Sequence, residues 1–223
     1  MDELDELDEL DEYNLEKIYK CEKEIVIVLI HGLGAGPYSL YLLKKYLQNS
    51  FPNTLIVVPK YDTSNITSTK ILLDRADIEL SKYISKESPI IIIGQSMGGI
   101  VAMNIYEKKW NVLHAISVGS PLHGSRLLLR LRKFIPMFNN GTFKYLGDKC
   151  NVVDDDNSNE KQSIPPHSYK TISCSLFNSK FDRCVFADET TLEPEYHIHL
   201  NYLDHVFCWF HPKLFKNILL AML

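Results

Sequence analysis

The 223-residue sequence predicts an α/β fold: a mostly parallel central sheet with helices on both faces and a short cap or lid inserted late in the chain. Three observations carry that expectation. The continuous apolar runs Ile25 to Ile30 and Ile90 to Ile93 read as strands buried on both faces, as parallel sheets require. Such strands alternate with segments of helical periodicity, which is the pattern of βαβ units. The alternation then lapses from Gly119 to His167, too long a stretch for a plain loop in a compact domain.

In chain order, Asp-Glu-Leu repeats three times from Asp2 to Leu10. A period of three with two acids per unit builds neither a heptad nor an apolar face, so residues 1–12 read as a disordered acidic tail on a single domain spanning 13–223. The tail also distorts the charge balance. It holds eight of the 28 acidic residues, and without them 20 acids face 24 basic residues, a body of +4 rather than the overall -4. That is no nucleic-acid footprint, and none is expected as a partner. A secretory signal needs a basic start and an apolar run of about 7 to 15 residues, which this beginning does not offer. No apolar run approaches the roughly 18 to 20 residues of a membrane span, so the expected protein is soluble and cytoplasmic.

Ile25 to Ile30 leads into His31-Gly32-Leu33-Gly34-Ala35-Gly36-Pro37. Leu40, Leu42, Leu43, Tyr46 and Leu47 then recur at helical spacing with Lys44 and Lys45 on the other side, predicting an amphipathic helix over Tyr38 to Gln48 with Pro37 in its first turn. Thr54 to Pro59 reads as a strand, Asp62 to Asn65 as a polar connection, and about Ser68 to Ser85 as a long helix. The isoleucine strand follows, then a helix reaching about Lys109 and a strand at Val112 to Val118. The predicted cap covers about 121–167. Its first part is a helix with Leu127, Leu128, Leu131, Phe134 and Ile135 on one side and Arg126, Arg130 and Lys133 on the other, ended by Pro136. Its second part, with Asn139-Asn140-Gly141 and Asp154 to Asp156, reads as a loop. Tyr169 to Cys174 and Tyr196 to Leu200 are the last expected strands, before a closing helix with Phe215, Ile218, Leu219 and Met222 on one face.

Between the isoleucine strand and its helix stands Gly94-Gln95-Ser96-Met97-Gly98, which fits the G-x-S-x-G nucleophile elbow. By composition alone such a pattern arises in a chain of this length about one time in thirteen, so its position between strand and helix is what gives it weight. A turn this sharp projects the serine hydroxyl past the sheet and leaves the Met97 amide at a helix N-terminus, able to donate to a developing oxyanion.

At these residues the chain resembles the lipase and esterase branch of the α/β-hydrolase superfamily, particularly small bacterial-type lipases and related lipid deacylases. The resemblance rests on His31-Gly32-Leu33-Gly34, on Gly94 to Gly99, and on Gly119-Ser120-Pro121-Leu122-His123-Gly124-Ser125, which is similar to the lipases' G-T-P-H-x-G-S segment. Here the histidine falls one place late, at His123, so no role is carried over to it. The resemblance implies an elbow strand near the sheet centre, a cap after Gly119, a serine-hydrolase triad and no cofactor. In triad order the acid follows the serine: Asp182 is the candidate, with Asp188 its rival. His205 is the candidate base, while His197 and His199 lie in a predicted strand and His211 begins the last helix. Leu33 is the expected second oxyanion donor beside Met97, and His31 is expected to hold that loop.

The function implied is hydrolysis of a carboxylic ester, lipid-like in character, through an acyl-enzyme on Ser96. Leu127, Leu131 and Phe134 are the candidate substrate contacts, and the basic side of their helix offers a transient contact with a membrane surface. Acyl transfer or thioester hydrolysis on the same triad, and a non-catalytic ligand-binding relative, remain as alternatives. The five cysteines, Cys21, Cys150, Cys174, Cys184 and Cys208, show no C-x-x-C pair and no zinc-ligand spacing; they read as reduced packing residues, and no metal is expected.

Overall fold

The structure, a computed structural model, describes residues 25–131, 133–135, 141–148, 173–178, 197–199 and 213–222. Strand β1 is Val26–Ile30, followed by a 3-10 turn at Pro37–Leu40 and helix α1 at Tyr41–Ser50. Strand β2 (Ile56–Val57), helix α2 (Thr69–Leu80), strand β3 (Ile90–Gln95) and helix α3 (Met97–Asn104) come next. Strand β4 (Val112–Val118), helices α4 (Arg126–Leu131) and α5 (Gly141–Asp148), strands β5 (Ser173–Asn178) and β6 (His197–His199), and helix α6 (Leu214–Met222) complete the described elements.

The sheet runs β2-β1-β3-β4-β5-β6, and each of these pairs is parallel. Parallel crossovers are right-handed, so a sheet that grows one way from β1 to β2 and the other way through β3 and β4 must place the corresponding helices on opposite faces. That is what the packing shows. Leu43 and Leu47 of α1 and Leu214, Ile218 and Met222 of α6 pack with Ile27, Leu29, Ile91 and Ile93. Leu72, Ala76 and Leu80 of α2 and Ile100 and Val101 of α3 pack with Val26, Val28, Ile30, Ile90 and Ile92. Successive strand residues point to opposite faces, so the four isoleucines of β3 serve two cores at once, and none is more than 4% exposed.

The same reversal positions the site. The chain leaves β1 toward one face and β3 toward the other, which opens a crevice at the carboxyl ends of these adjacent strands, where ligands bind in open α/β sheets.

Several elements differ from expectation for identifiable reasons. Strand β2 keeps two residues of the expected Thr54 to Pro59, as suits a sheet edge with a partner on one side. Ser68 caps α2, its hydroxyl accepting the Ile71 N–H at 3.3 Å, but the helix stops at Leu80, where Ser81 and Ser85 favour turns. Helix α3 tightens into a 3-10 turn, Ile105–Lys108, closed by Lys109 at φ 63°. Helix α4 ends at Leu131, leaving Phe134 and Ile135 beyond it and exposed.

The stretch at Gly141 expected as a loop is helix α5, whose buried positions are Thr142, Leu146 and Gly147. Gly147 lies against the α4 backbone: a Cβ there would stand 3.2 Å from the Leu129 amide nitrogen. Strand β5 is described from Ser173, within the expected strand, and pairs with β4 in the register His114 to Ser173 and Val118 to Phe177, while Tyr169 to Ile172 lie outside the described residues. The acidic tail and the remainder of the predicted cap lie outside the described residues. No described helix is long and apolar enough to cross a membrane.

Candidate active site

Ser96 stands where β3 turns into α3, with φ 54° and ψ −126°. Only a few per cent of non-glycine residues adopt positive φ, and a conformation this rare costs roughly 1–3 kcal/mol, which the surrounding turn must hold in place. It is held at both ends. The Ser96 N–H donates to the Val118 carbonyl of β4 at 2.9 Å, and the Ser96 carbonyl accepts the Gly99 N–H at 2.9 Å.

Two glycines make the turn possible by lacking side chains. A Cβ on Gly94 would overlap the Gly98 carbonyl, and one on Gly98 would overlap the Ile30 carbonyl at the end of β1. The obstacle in each case is backbone, which cannot swing aside. Gly94→Ala is therefore expected to cost about 3 kcal/mol or more. Thermal unfolding followed by circular dichroism should show a Tm lower by roughly 10 °C, and an unchanged Tm would contradict this turn geometry.

The side chain of Ser96 lies beside the loop after β1. A Cβ built on Gly32 would lie 3.0 Å from the Ser96 Cβ and 3.5 Å from its Oγ, so only glycine lets the two segments come this close. Leu33 is the next residue, partly buried against the α2 and α3 side of the core. Met97 is fully buried as the first residue of α3, whose N-cap is Ser96. The first four N–H groups of a helix have no partner within it, so the Met97 amide is not spent on the helix it begins.

His31 is completely buried. Its Nδ1 lies 3.0 Å from the Gly32 carbonyl, its ring stacks on Tyr61 with centroids 4.6 Å apart, and its own carbonyl accepts the Tyr61 hydroxyl at 2.7 Å. Burial pushes its pKa below the ordinary value, opposed in part by the hydrogen bond to Gly32. The neutral ring then donates from Nδ1, while Nε2 finds no partner among the described residues. Tyr61 was not visible as a site residue in the sequence: its role depends on a partner 30 positions away.

Asp182, Asp188, His205 and His211 lie outside the described residues. Strands β5 and β6 run parallel to β3 through the intervening pairs, so they end on the same edge of the sheet as Ser96. Asp182 follows the last residue of β5, Asn178, by four positions, and His205 follows the last residue of β6, His199, by six. His197 and His199 are in β6 itself. Leu127 and Leu131 of α4 are half-buried, and Phe134 is 82% exposed. A groove of about 430 Å³ at the β2 edge, lined by Tyr38, Tyr41, Lys44, Leu55 and Tyr83 among others, includes none of the site residues. Among the described residues no three His, Cys, Asp or Glu side chains converge as metal ligands would.

No protein-family model matches the chain, and no curated protein does. Solved structures do. The mature form of the lipase BlEst2 from Bacillus licheniformis is 13% identical, with 90% of this chain and 92% of that one covered and a TM-score of 0.63. A lipase-esterase related protein from Clostridium acetobutylicum is 13% identical over 90% and 94%, with a TM-score of 0.58. An alpha/beta hydrolase superfamily protein from Enterococcus faecalis is 15% identical over 90% of each chain, with a TM-score of 0.55. With a serine elbow at the switch point of a parallel sheet, and this likeness along 90% of its length, the chain has the α/β-hydrolase fold.

Proposed function

We propose that this protein hydrolyses carboxylic esters through an acyl-enzyme on Ser96. The observation that carries the reading is the strained backbone of Ser96 at the carboxyl edge of the sheet, held between β1 and β4 and opening onto the Gly32-Leu33 loop. Strain kept at one side chain, against a cost the fold must meet elsewhere, is the mark of a residue whose hydroxyl must be presented in one direction.

Ser96 attacks the ester carbonyl as His205 takes its proton. His205 then returns the proton to the leaving alkoxide, water repeats the sequence, and the acid is released. Asp182 holds His205 in the required tautomer and stabilises its charged form. The Leu33 and Met97 amides receive the tetrahedral oxyanion, where hydrogen bonds to developing charge lower the barrier most. The arrangement takes no cofactor.

A lipid-like ester is the favoured substrate, because the segment after α4 sets Phe134 in solvent next to Lys133, with Arg130 exposed on the helix before it. An exposed aromatic with exposed basic residues just before it in the chain suits an anionic lipid surface, and Leu127 and Leu131 are the proposed contacts for the acyl chain. The test compares the purified protein on short soluble esters and on long-chain esters across the concentration at which these aggregate. Activity is expected to rise several-fold at the interface, and Phe134→Ser is expected to remove most of that rise while sparing short-chain turnover. Saturation on short esters with no interfacial rise would instead identify a general esterase.

A further inference from the structure

The peptide planes on either side of Leu33 are both held by side chains. The plane between Gly32 and Leu33 carries the Gly32 carbonyl, which contacts His31 Nδ1 at 3.0 Å and accepts the Ala35 N–H at 3.3 Å. The plane between Leu33 and Gly34 carries the Gly34 N–H, which donates to Thr63 Oγ1 at 3.1 Å. Gly34 needs that anchor, because its φ of 67° belongs to a turn that no helix or strand supports.

Thr63 is itself held from the cap. The Thr142 hydroxyl, on the second residue of α5, donates to the Thr63 carbonyl at 2.7 Å and accepts the Ile66 N–H at 2.9 Å. Its one donor and one of its two acceptor sites are used on backbone groups of one short segment. The contact excludes water: Thr142 is 3% exposed, Thr63 7% and Ile66 fully buried. The same end of α5 is fitted closely, with Gly141 at φ 51° packed against Asn65 at φ 50°. One turn further on, the Tyr145 hydroxyl and Thr69 Oγ1 of α2 lie 2.6 Å apart. The helix is thus seated on the hydrolase core at two points, and the first leads to the loop beside Ser96.

We infer that Thr142 is a positioning residue that couples helix α5 to the oxyanion loop, so that the Leu33 amide is correctly aimed only while α5 is seated on the Asp62-to-Ile66 segment. The reading rests on the proposed ester hydrolysis. Removing the hydroxyl leaves the Thr63 carbonyl and the Ile66 N–H buried without partners, and the segment regains them only by moving. The Gly34 anchor moves with it. Hydrogen bonds to a developing oxyanion weaken steeply with misalignment, so a small displacement at Gly34 reaches the rate without altering how substrate is bound.

Valine keeps the shape of threonine and deletes its hydrogen bonds, whereas serine keeps the hydroxyl. Two readouts on the full chain separate the coupling from the ester reading. In hydrogen exchange, Thr142→Val is expected to speed exchange of the His31-to-Gly36 peptide at least about tenfold, with Thr142→Ser close to wild type. In steady-state kinetics on a soluble short-chain ester, Thr142→Val is expected to lower kcat about tenfold with KM within about twofold, and serine to restore it. Unchanged exchange in Thr142→Val overturns the coupling, whether or not the wild type turns over ester. Faster exchange with unchanged kcat in an active enzyme overturns the positioning role and leaves Thr142 a structural contact. A wild type without turnover overturns the ester reading alone, because exchange still decides the coupling. Should Thr142→Val fail to fold, Thr142→Ala, which also lacks the hydroxyl and is smaller, carries the same two expectations.

Discussion

Ser96→Ala is expected to lower kcat for ester hydrolysis by about 10⁶ while KM stays near the wild-type value. The size follows from what the substitution removes. Alanine deletes the proposed attacking oxygen and leaves the Met97 and Leu33 amides in place, so only binding and the proposed oxyanion donors remain, with an expected residual acceleration over water of about 10³ to 10⁴. The backbone bonds that fix this residue, from its N–H to Val118 and from Gly99 to its carbonyl, do not involve the side chain. The variant should therefore fold with a Tm near that of the wild type, and steady-state assays on a soluble ester can be read as chemistry. Full activity in folded Ser96→Ala would leave the strained turn without its proposed purpose.

Asp182→Asn is expected to lower kcat by about 10⁴. An asparagine amide can turn its NH₂ group toward His205 and favour the tautomer that cannot accept the serine proton, and it supplies no charge to stabilise the imidazolium. The placement behind this expectation is topological. Strand β5 adjoins β4 in parallel and ends at Asn178, so the chain leaves toward the edge that carries Ser96 shortly before it reaches Asp182. Asp188 comes six positions later in the sequence, and Asp188→Asn is the matching control. Measured kcat values near wild type for Asp188→Asn and depressed for Asp182→Asn fit the assignment; the reverse pattern moves the acid to Asp188.

The fold was legible wherever burial is uniform. Residues 26–30 and 90–93 are apolar without interruption because they face helices on both sides, and that condition exists only in the interior strands of a covered parallel sheet. The elbow was legible because its glycines answer to local collisions, between Gly94 and Gly98 and between Gly98 and the end of β1. Signals weakened where structure depends on distant partners. The register of β5 against β4, His114 to Ser173 and Val118 to Phe177, is a relation between two distant segments that the composition of neither one encodes.

The buried positions of helix α5 are Thr142, Leu146 and Gly147, so a single large apolar side chain marks its buried face. The first of its two seats on the core is the Thr142 hydroxyl, which accepts from and donates to residues 76 and 79 positions away. Thr63 and Tyr61 escaped notice for the same reason. Each is an ordinary residue in a polar connection until the loop after β1 is folded against it.

The central claim is that Ser96 is an activated nucleophile, and its most direct test is covalent labelling of the purified protein by a fluorophosphonate probe, with the modified residue identified by mass spectrometry. The expected result is labelling of Ser96 with one probe per chain, absent in Ser96→Ala and strongly slowed in His205→Ala. A folded wild-type protein that never labels at Ser96, or one that labels equally well without His205, would contradict it.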